Sequence, residues 1–408
     1  MHCRYFEAGE CRSCALIETP YADQLAAKEA RCRSLLPAVP DRAWLPAFPS
    51  PERDFRNRVK LVVGGAPGPG GRITLGILGP SGEGVDLREC LIQAPEIAAV
   101  VPAIAGFLEE TGLPPYSVPE RRGELKFVHV TVSPGGEPVT EAVPMHGDAS
   151  ATGVSPSGEL MIRFVVRTQR SLDVLRSRLD RLRELVPDAV VISVNLLPEH
   201  KAVLEGEREE LLLGSSLPMR LGTADRPLAL HLRPQSFFQT NTAVARELYA
   251  QAASWVAAAD PRSVWDLYCG VGGFALHVAL GSGGADREVI GVELSGAAVD
   301  SARRSAREAG LRASFIAADA TEFALSSSPA DRPELLIVNP PRRGIGARLA
   351  EWIEGSAIRR VVYSSCNPES LARDLAAMPA YGVRAARVFD MFPHTSHMEV
   401  AVLLERST

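Results

Sequence analysis

Cys366 lies in Tyr363-Ser364-Ser365-Cys366-Asn367-Pro368-Glu369, and Glu399 ends His394-Thr395-Ser396-His397-Met398-Glu399. A thiolate can add to an electron-poor carbon, and a carboxylate nearby can take up a proton. Ile358 to Ser364 is short and rich in Val and Ile, the composition of a buried strand. Pro368-Glu369 opens a helical pattern through Leu371, Leu375 and Met378, with Pro near the first turn and an acid beside it. This turn is expected to set Cys366 at the positive end of a helix, where a thiol pKa falls. A small buried cysteine is the commoner fate of a lone cysteine. The open polar turn argues for reactivity instead. Glu399 is the nearest acid downstream on a predicted strand end, which makes it the candidate base. A solvated strand carboxylate is the ordinary alternative, and the His394/His397/Glu399 spacing matches no well-defined metal site.

The elements that position these groups begin near residue 231, where strand, glycine turn and helix alternate as in a doubly wound parallel sheet. Arg262 to Tyr268 reads as a strand running into Cys269-Gly270-Val271-Gly272-Gly273-Phe274. Glycines there let a nucleoside approach the backbone at the carboxyl edge of the sheet. Glu293 ends the next strand, Glu288 to Leu294, where an acid can accept both ribose hydroxyls. That pair suits NAD and S-adenosylmethionine equally. Leu335 to Val338 then enters Asn339-Pro340-Pro341-Arg342-Arg343-Gly344. A proline-stiffened turn is the plain reading. The functional one is a methyltransferase substrate loop in which Asn339 orients the target base or the cofactor. Such a turn resembles amino-group methyltransferases, but Cys366 at the next strand end points to carbon. Asp319 follows another strand and could approach an adenine, and Thr240 or Asn241 could cap the helix after Gln239. The combination fits methylation of a weakly nucleophilic carbon such as C5 of uracil, activated by thiolate addition at C6.

At 408 residues the chain is long enough for more than one domain. A net charge of −5 gives no global sign of nucleic-acid binding, so an RNA site has to be a local basic patch. No apolar run is long enough to span a membrane, and the first residues carry no export signal, so a cytoplasmic protein is expected. Seven cysteines in such a chain favour metal ligands or catalysts over disulfides. Cys3, Cys11 and Cys14 form C-x7-C-x2-C, and Cys90 follows alone. Four thiolates can hold a 4Fe-4S cluster or zinc, and the spacing leaves the metal open. Cys32 reads as a bystander and Cys269 as a small buried residue. Three segments are expected: 1–90 with the cysteines and a hairpin, 91–230 as an α+β region, and 231–408 as the cofactor domain. In the first, Arg53, Arg56, Arg58 and Lys60 are either a solvated strand face or a phosphate-contacting surface. In the second, Ser171 to Val186 reads as one amphipathic helix.

The four cysteines, FRNRVKLVV (55–63), SFFQTN (236–241), DLYCGVGGF (266–274), NPPRRGIG (339–346), SSCNP (364–368) and FDMFPHTSHMEV (389–400) together resemble the bacterial RNA uridine-C5 methyltransferase family. The resemblance runs through nearly the whole chain, with Tyr268 standing where a Phe is familiar. It implies an α/β fold: an N-terminal iron-sulfur segment, a central α+β RNA-binding domain and a C-terminal Rossmann-like S-adenosylmethionine methyltransferase domain. A 4Fe-4S cluster on Cys3, Cys11, Cys14 and Cys90 is implied as well. So are S-adenosylmethionine contacts from Gln239, Tyr268, Glu293 and Asn339, with Cys366 as nucleophile and Glu399 as base. The implied substrate is a uridine of 23S rRNA, uracil-747, and the implied enzyme a cytoplasmic monomer. Two alternatives remain: a tRNA uridine-C5 methyltransferase, and an iron-sulfur RNA-binding protein without catalysis, for which Cys366 and Glu399 have no use.

Overall fold

A computed structural model describes residues 1–65, 72–79, 84–133, 158–200, 203–222, 225–281 and 287–407. Most of the two Gly/Pro-rich stretches of the sequence at 64–71 and 133–158 lies outside the described residues. Two compact units divide the chain, Met1–Cys14 with Arg53–Arg220, and Ala15–Glu52 with Leu221–Thr408. The cysteine segment and the central α+β region thus share one unit, while residues 15–52 fold with the C-terminal region. Among the described residues no helix is long and apolar enough to cross a membrane.

The first unit holds strands β1 (Arg58–Gly65), β2 (Ile73–Leu78), β3 (Gly84–Asp86), β4 (Leu125–Ser133), β5 (Glu159–Val166), β6 (Ala189–Leu196), β7 (Arg208–Leu213) and β8 (Leu217–Arg220). Seven of them form a sheet in the order β3-β2-β1-β4-β5-β6-β7. β1 and β2 are the expected hairpin. β5 and β6 run parallel, because helices Gln169–Ser177 and Leu179–Leu185 cross between them. The single helix expected over 171–186 breaks at Arg178 (φ −112, ψ 15), yet Leu172, Leu175 and Leu182 stay buried. The break therefore keeps both apolar stripes on the sheet. β1 turns Val59, Leu61 and Val63 inward to Ile97, Val101, Ile104 and Phe107 of helix Pro95–Thr111. Its other face pairs Lys60 with His129 and Arg58 with Thr131.

The second unit adds β9 (Ala229–Leu232), β10 (Ser263–Leu267), β11 (Glu288–Glu293), β12 (Ser314–Ala317), β13 (Leu335–Val338), β14 (Arg360–Ser365), β15 (Tyr381–Phe389) and β16 (Glu399–Arg406). Its seven-stranded sheet runs β12-β11-β10-β13-β14-β16-β15. The first five strands are parallel and wholly or largely apolar, as strands buried on both faces must be. β16 is antiparallel to both β14 and β15. Its register sets Ser365 against Val400 and Ser364 against Ala401, so β16 begins where β14 ends. That reversal brings the Cys366 turn and Glu399 to one edge of the sheet. Residues from 15–52 cover the other end. Trp44 and Phe48 bridge to Ala386 and Phe389, and helix Tyr21–Leu35 buries Cys32 and Lys28. These bridges cover the Ala386–Phe389 half of the outer edge of β15, which keeps that half from pairing with another chain.

Candidate active site

β14 carries the chain to Cys366, and helix Pro368–Ala376 starts two residues later. Asn367 caps it: its Oδ1 accepts from the Glu369 N–H at 3.1 Å, and Pro368 takes the first helical position. The Asn367 side-chain amide also donates to the Arg342 carbonyl at 3.0 Å, tying this turn to the one after β13. Cys366 is half-buried. Burial pushes its thiol pKa up, the Glu399 carboxylate pushes the same way, and the Arg342 guanidinium opposes both. The helix end was expected to lower this pKa. Burial and a neighbouring anion outweigh it, and Arg342 supplies the local relief.

Glu399 is 1% exposed. Its Oε1 accepts from the Ser364 hydroxyl at 2.5 Å and from the Asn339 side-chain amide at 3.2 Å. The same Asn339 nitrogen donates to the Ser364 carbonyl at 3.2 Å. Burial lifts the carboxyl pKa to about 7, against the pull of Ser364 and Asn339. Among the described residues no cation holds it down, so near neutrality this group can both bind and release a proton. Tyr249 of helix Thr242–Ala259 lies in the field of Glu399 and of Asp266.

The turn after β13 is pinned from behind. Asp374 accepts from the Tyr363 hydroxyl at 2.7 Å and from the Ile345 N–H at 2.9 Å. A Cβ at Gly344 (φ +84) would sit 2.2 Å from the Asp374 carboxylate, so only glycine lets the turn close here.

Along the same carboxyl edge, Tyr268 follows β10 with φ +64, an unusual conformation for a non-glycine residue. Its hydroxyl is 3.4 Å from Thr321 Oγ1. Glu293 ends β11 and accepts from the Gly270 N–H at 3.2 Å and the Ser295 N–H at 2.9 Å, which fixes its carboxylate. Gly270 has φ +55, and a Cβ there would meet nothing within 4 Å, so the backbone fronts open space. Asp266, fully buried on β10, accepts from the Ala275 N–H at 2.9 Å and is lifted to about 7 by burial. The turn thus sets open space at Gly270 beside an anchored acid. Gln239 is buried just before helix Thr242–Ala259, and Asn241 rather than Thr240 caps that helix. Asp319 does not reach into this opening through its Oδ1, which caps helix Ala320–Ser326.

His394 is no metal ligand in this arrangement. Its N–H donates to Gln24 Oε1 at 2.8 Å, and its ring lies 2.8 Å from the Glu52 carbonyl. In the first unit, Cys3, Cys11, Cys14 and Cys90 are all free thiols of intermediate exposure. Burial raises the Cys14 thiol to about 12, with Cys90, Cys11 and Cys3 adding to it, so the four share one neighbourhood. Arg56 faces Cys14 and Cys90, which takes it out of the basic strand cluster. Among the described residues no three His, Cys, Asp or Glu side chains converge tightly enough to hold a metal ion. Sequence reading missed Ser364 and Arg342. Both sit inside quoted motifs, and a cation two residues past Pro340 was the available signal for Arg342.

A family description for a methyltransferase domain matches residues 264–333, and one for tRNA (Uracil-5-)-methyltransferase matches 330–407. The 23S rRNA (uracil(747)-C(5))-methyltransferase RlmC of Halothiobacillus neapolitanus is 44% identical over the whole of both chains. The protein of that name from Edwardsiella ictaluri is 42% identical, again over the whole of both. The crystal structure of Pyrococcus abyssi tRNA (uracil-54, C5)-methyltransferase, in complex with S-adenosyl-L-homocysteine, matches with a TM-score of 0.74. It covers 97% of this chain and 85% of its own at 24% identity, a likeness of fold. Identity of this extent across entire chains leaves one conclusion: the chain belongs to the RNA uracil-C5 methyltransferase family.

Proposed function

We propose that the protein transfers a methyl group from S-adenosylmethionine to C5 of uracil-747 in 23S rRNA, giving 5-methyluridine. One observation carries the reading: Cys366 lies in the field of a buried Glu399 whose pKa is near 7 and which only neutral groups hold. The names of the full-length relatives support the substrate. The opening at Gly270, the anchored Glu293, and Tyr268 and Asn339 on the same sheet edge suit a nucleoside cofactor, with Gln239 completing the set. S-adenosylmethionine bound there supplies an electrophilic methyl group.

The chain's own residues do the rest. Cys366 loses its proton with help from Arg342 and adds to C6 of the uracil, leaving C5 nucleophilic. Once C5 carries the methyl group, Glu399 takes the C5 proton. The C–H electron pair re-forms the C5–C6 double bond, and Cys366 departs as thiolate. Cys3, Cys11, Cys14 and Cys90 would hold a 4Fe-4S cluster. Four soft thiols sharing one half-buried neighbourhood fit its donor set. An rRNA substrate makes this a cytoplasmic enzyme, and one chain holds every group used, so a monomer suffices.

Mass-spectrometric mapping of 5-methyluridine in 23S rRNA and tRNA, from cells with and without the gene, tests the reading. Loss of the methyl group at uracil-747 is expected. Loss from a tRNA instead overturns the substrate, and no change in either pool overturns the activity.

A further inference from the structure

We propose that Ser364 is the positioning residue of the base: it holds Glu399 by one oxygen so that the other receives the C5 proton. This rests on the reading above and deepens it. Both donors that reach the carboxylate, the Ser364 hydroxyl at 2.5 Å and the Asn339 amide at 3.2 Å, go to Oε1. Among the described residues Oε2 accepts no hydrogen bond. The bond to Asn339 is locked by a second one, since the same amide nitrogen donates to the Ser364 carbonyl. Ser364 is itself fully buried on β14, so its hydroxyl has no solvent to turn to. Its partner across the sheet, Ala401, comes two residues after Glu399, and the strand pairing fixes both groups.

The balance of the step follows from this geometry. The C5–H bond breaks, its proton goes to Oε2, and its electron pair becomes the C5–C6 double bond as the C6–S bond breaks. Oε1 keeps its two donors throughout. Those donors favour the carboxylate, the form that can accept a proton. The other ionisable groups facing Glu399 are the Cys366 thiol at the end of β14 and Tyr249 on helix Thr242–Ala259, with Arg342 beyond the thiol. None of them is a cation in contact with the carboxylate, so the two neutral donors alone oppose its burial.

The test is a pH profile of single-turnover methylation, using the full-length protein, S-adenosylmethionine and 23S rRNA from cells lacking the gene. Losing the Ser364 donor should move the rising limb upward by about one pH unit, with roughly tenfold slower release of methylated RNA below it. Protein crosslinked to methylated RNA should accumulate in Ser364→Ala and fade at high pH. Ser364→Thr keeps a hydroxyl and should keep the limb. S-adenosylmethionine binding by each variant reports its folding. A Ser364→Ala enzyme whose limb stays in place overturns the inference, whether or not its rate falls. Free turnover by Glu399→Gln overturns the base assignment itself, a separate failure.

Discussion

Glu399 and Asp390 are both acids buried to 1% exposure or less on the same unit, yet the protein treats them oppositely. Asp390 faces the Lys28 ammonium at 2.6 Å, and Lys28 also donates to the Phe392 carbonyl at 3.0 Å. A buried cation answers that acid, and the Tyr21 hydroxyl lies in its field. Glu399 is held by a hydroxyl and an amide; among the described residues each acid has one oxygen without a hydrogen bond, so what differs is the charge of the partner. Neutral donors orient a carboxylate without fixing its charge, which keeps it able to change protonation state. A full charge fixes it. The difference separates a buried acid that ties two segments together from one that can do chemistry.

The largest effects come from exchanging what each acid loses. Glu399→Gln should cut turnover by roughly 10²–10⁴, the usual worth of a general base. Methylated RNA should stay bonded to the protein, and the fold should hold. Asp390→Ala should do the reverse, since it strands a buried ammonium. Chemical denaturation should then show a loss of about 3–5 kcal/mol, while the folded fraction keeps its rate. If Asp390→Ala slowed the chemistry with stability intact, the division between the two acids would fail.

A smaller effect is a matter of pH. The Glu399 carboxyl is raised from an ordinary value of 4.5 to about 7. Between those values the folded chain keeps a proton that the unfolded chain has released. Its contribution to stability is therefore complete below the unfolded value and is lost as pH rises to about 7. Glu399→Gln does not titrate, so it should be the more stable protein above that pH, by about 3 kcal/mol. The gap should close toward pH 4.5. Asp266 has the same sign but is present in both proteins, so it cancels in the difference. Urea midpoints measured across this range check the sign, and a gap that widens on acidification would contradict it.

How much of this could be read in the sequence depended on the range over which each feature is determined. The cofactor sheet was legible because strands buried on both faces are short apolar runs, and a glycine turn punctuates them. The Cys366 turn was legible through Pro368 and Glu369, which start a helix by local rules. What stayed hidden depends on pairing. Ser364 reads as one more strand residue until β16 is laid antiparallel beside β14 and Glu399 arrives next to it. The raised thiol of Cys366 follows from that same neighbour and from burial. Residues 15–52 joined the far end of the chain because Lys28 finds Asp390 and Gln24 finds His394, contacts with no local signature. Arg56 and Lys60 looked alike in a basic run, yet one faces thiols and the other solvent.

The smallest effect fixes the floor of the comparison. Arg31, on the helix that buries Lys28, meets Glu369 at 2.8 Å, but the two side chains are 45% and 58% exposed. Water already solvates both charges, and ordering two long side chains costs nearly what their attraction returns. Arg31→Ala should therefore change stability by less than about 0.5 kcal/mol, although its distance is close to that of the Lys28–Asp390 pair. A loss as large as that of Asp390→Ala would mean that docking of this helix, and not burial of the charge, governs both pairs. With the small value in hand, burial sets Glu369 apart from the other two acids, and the charge of the partner separates those two. Glu369 is wet and nearly idle, Asp390 is dry and paired with a cation, and Glu399 is dry and held by neutral donors.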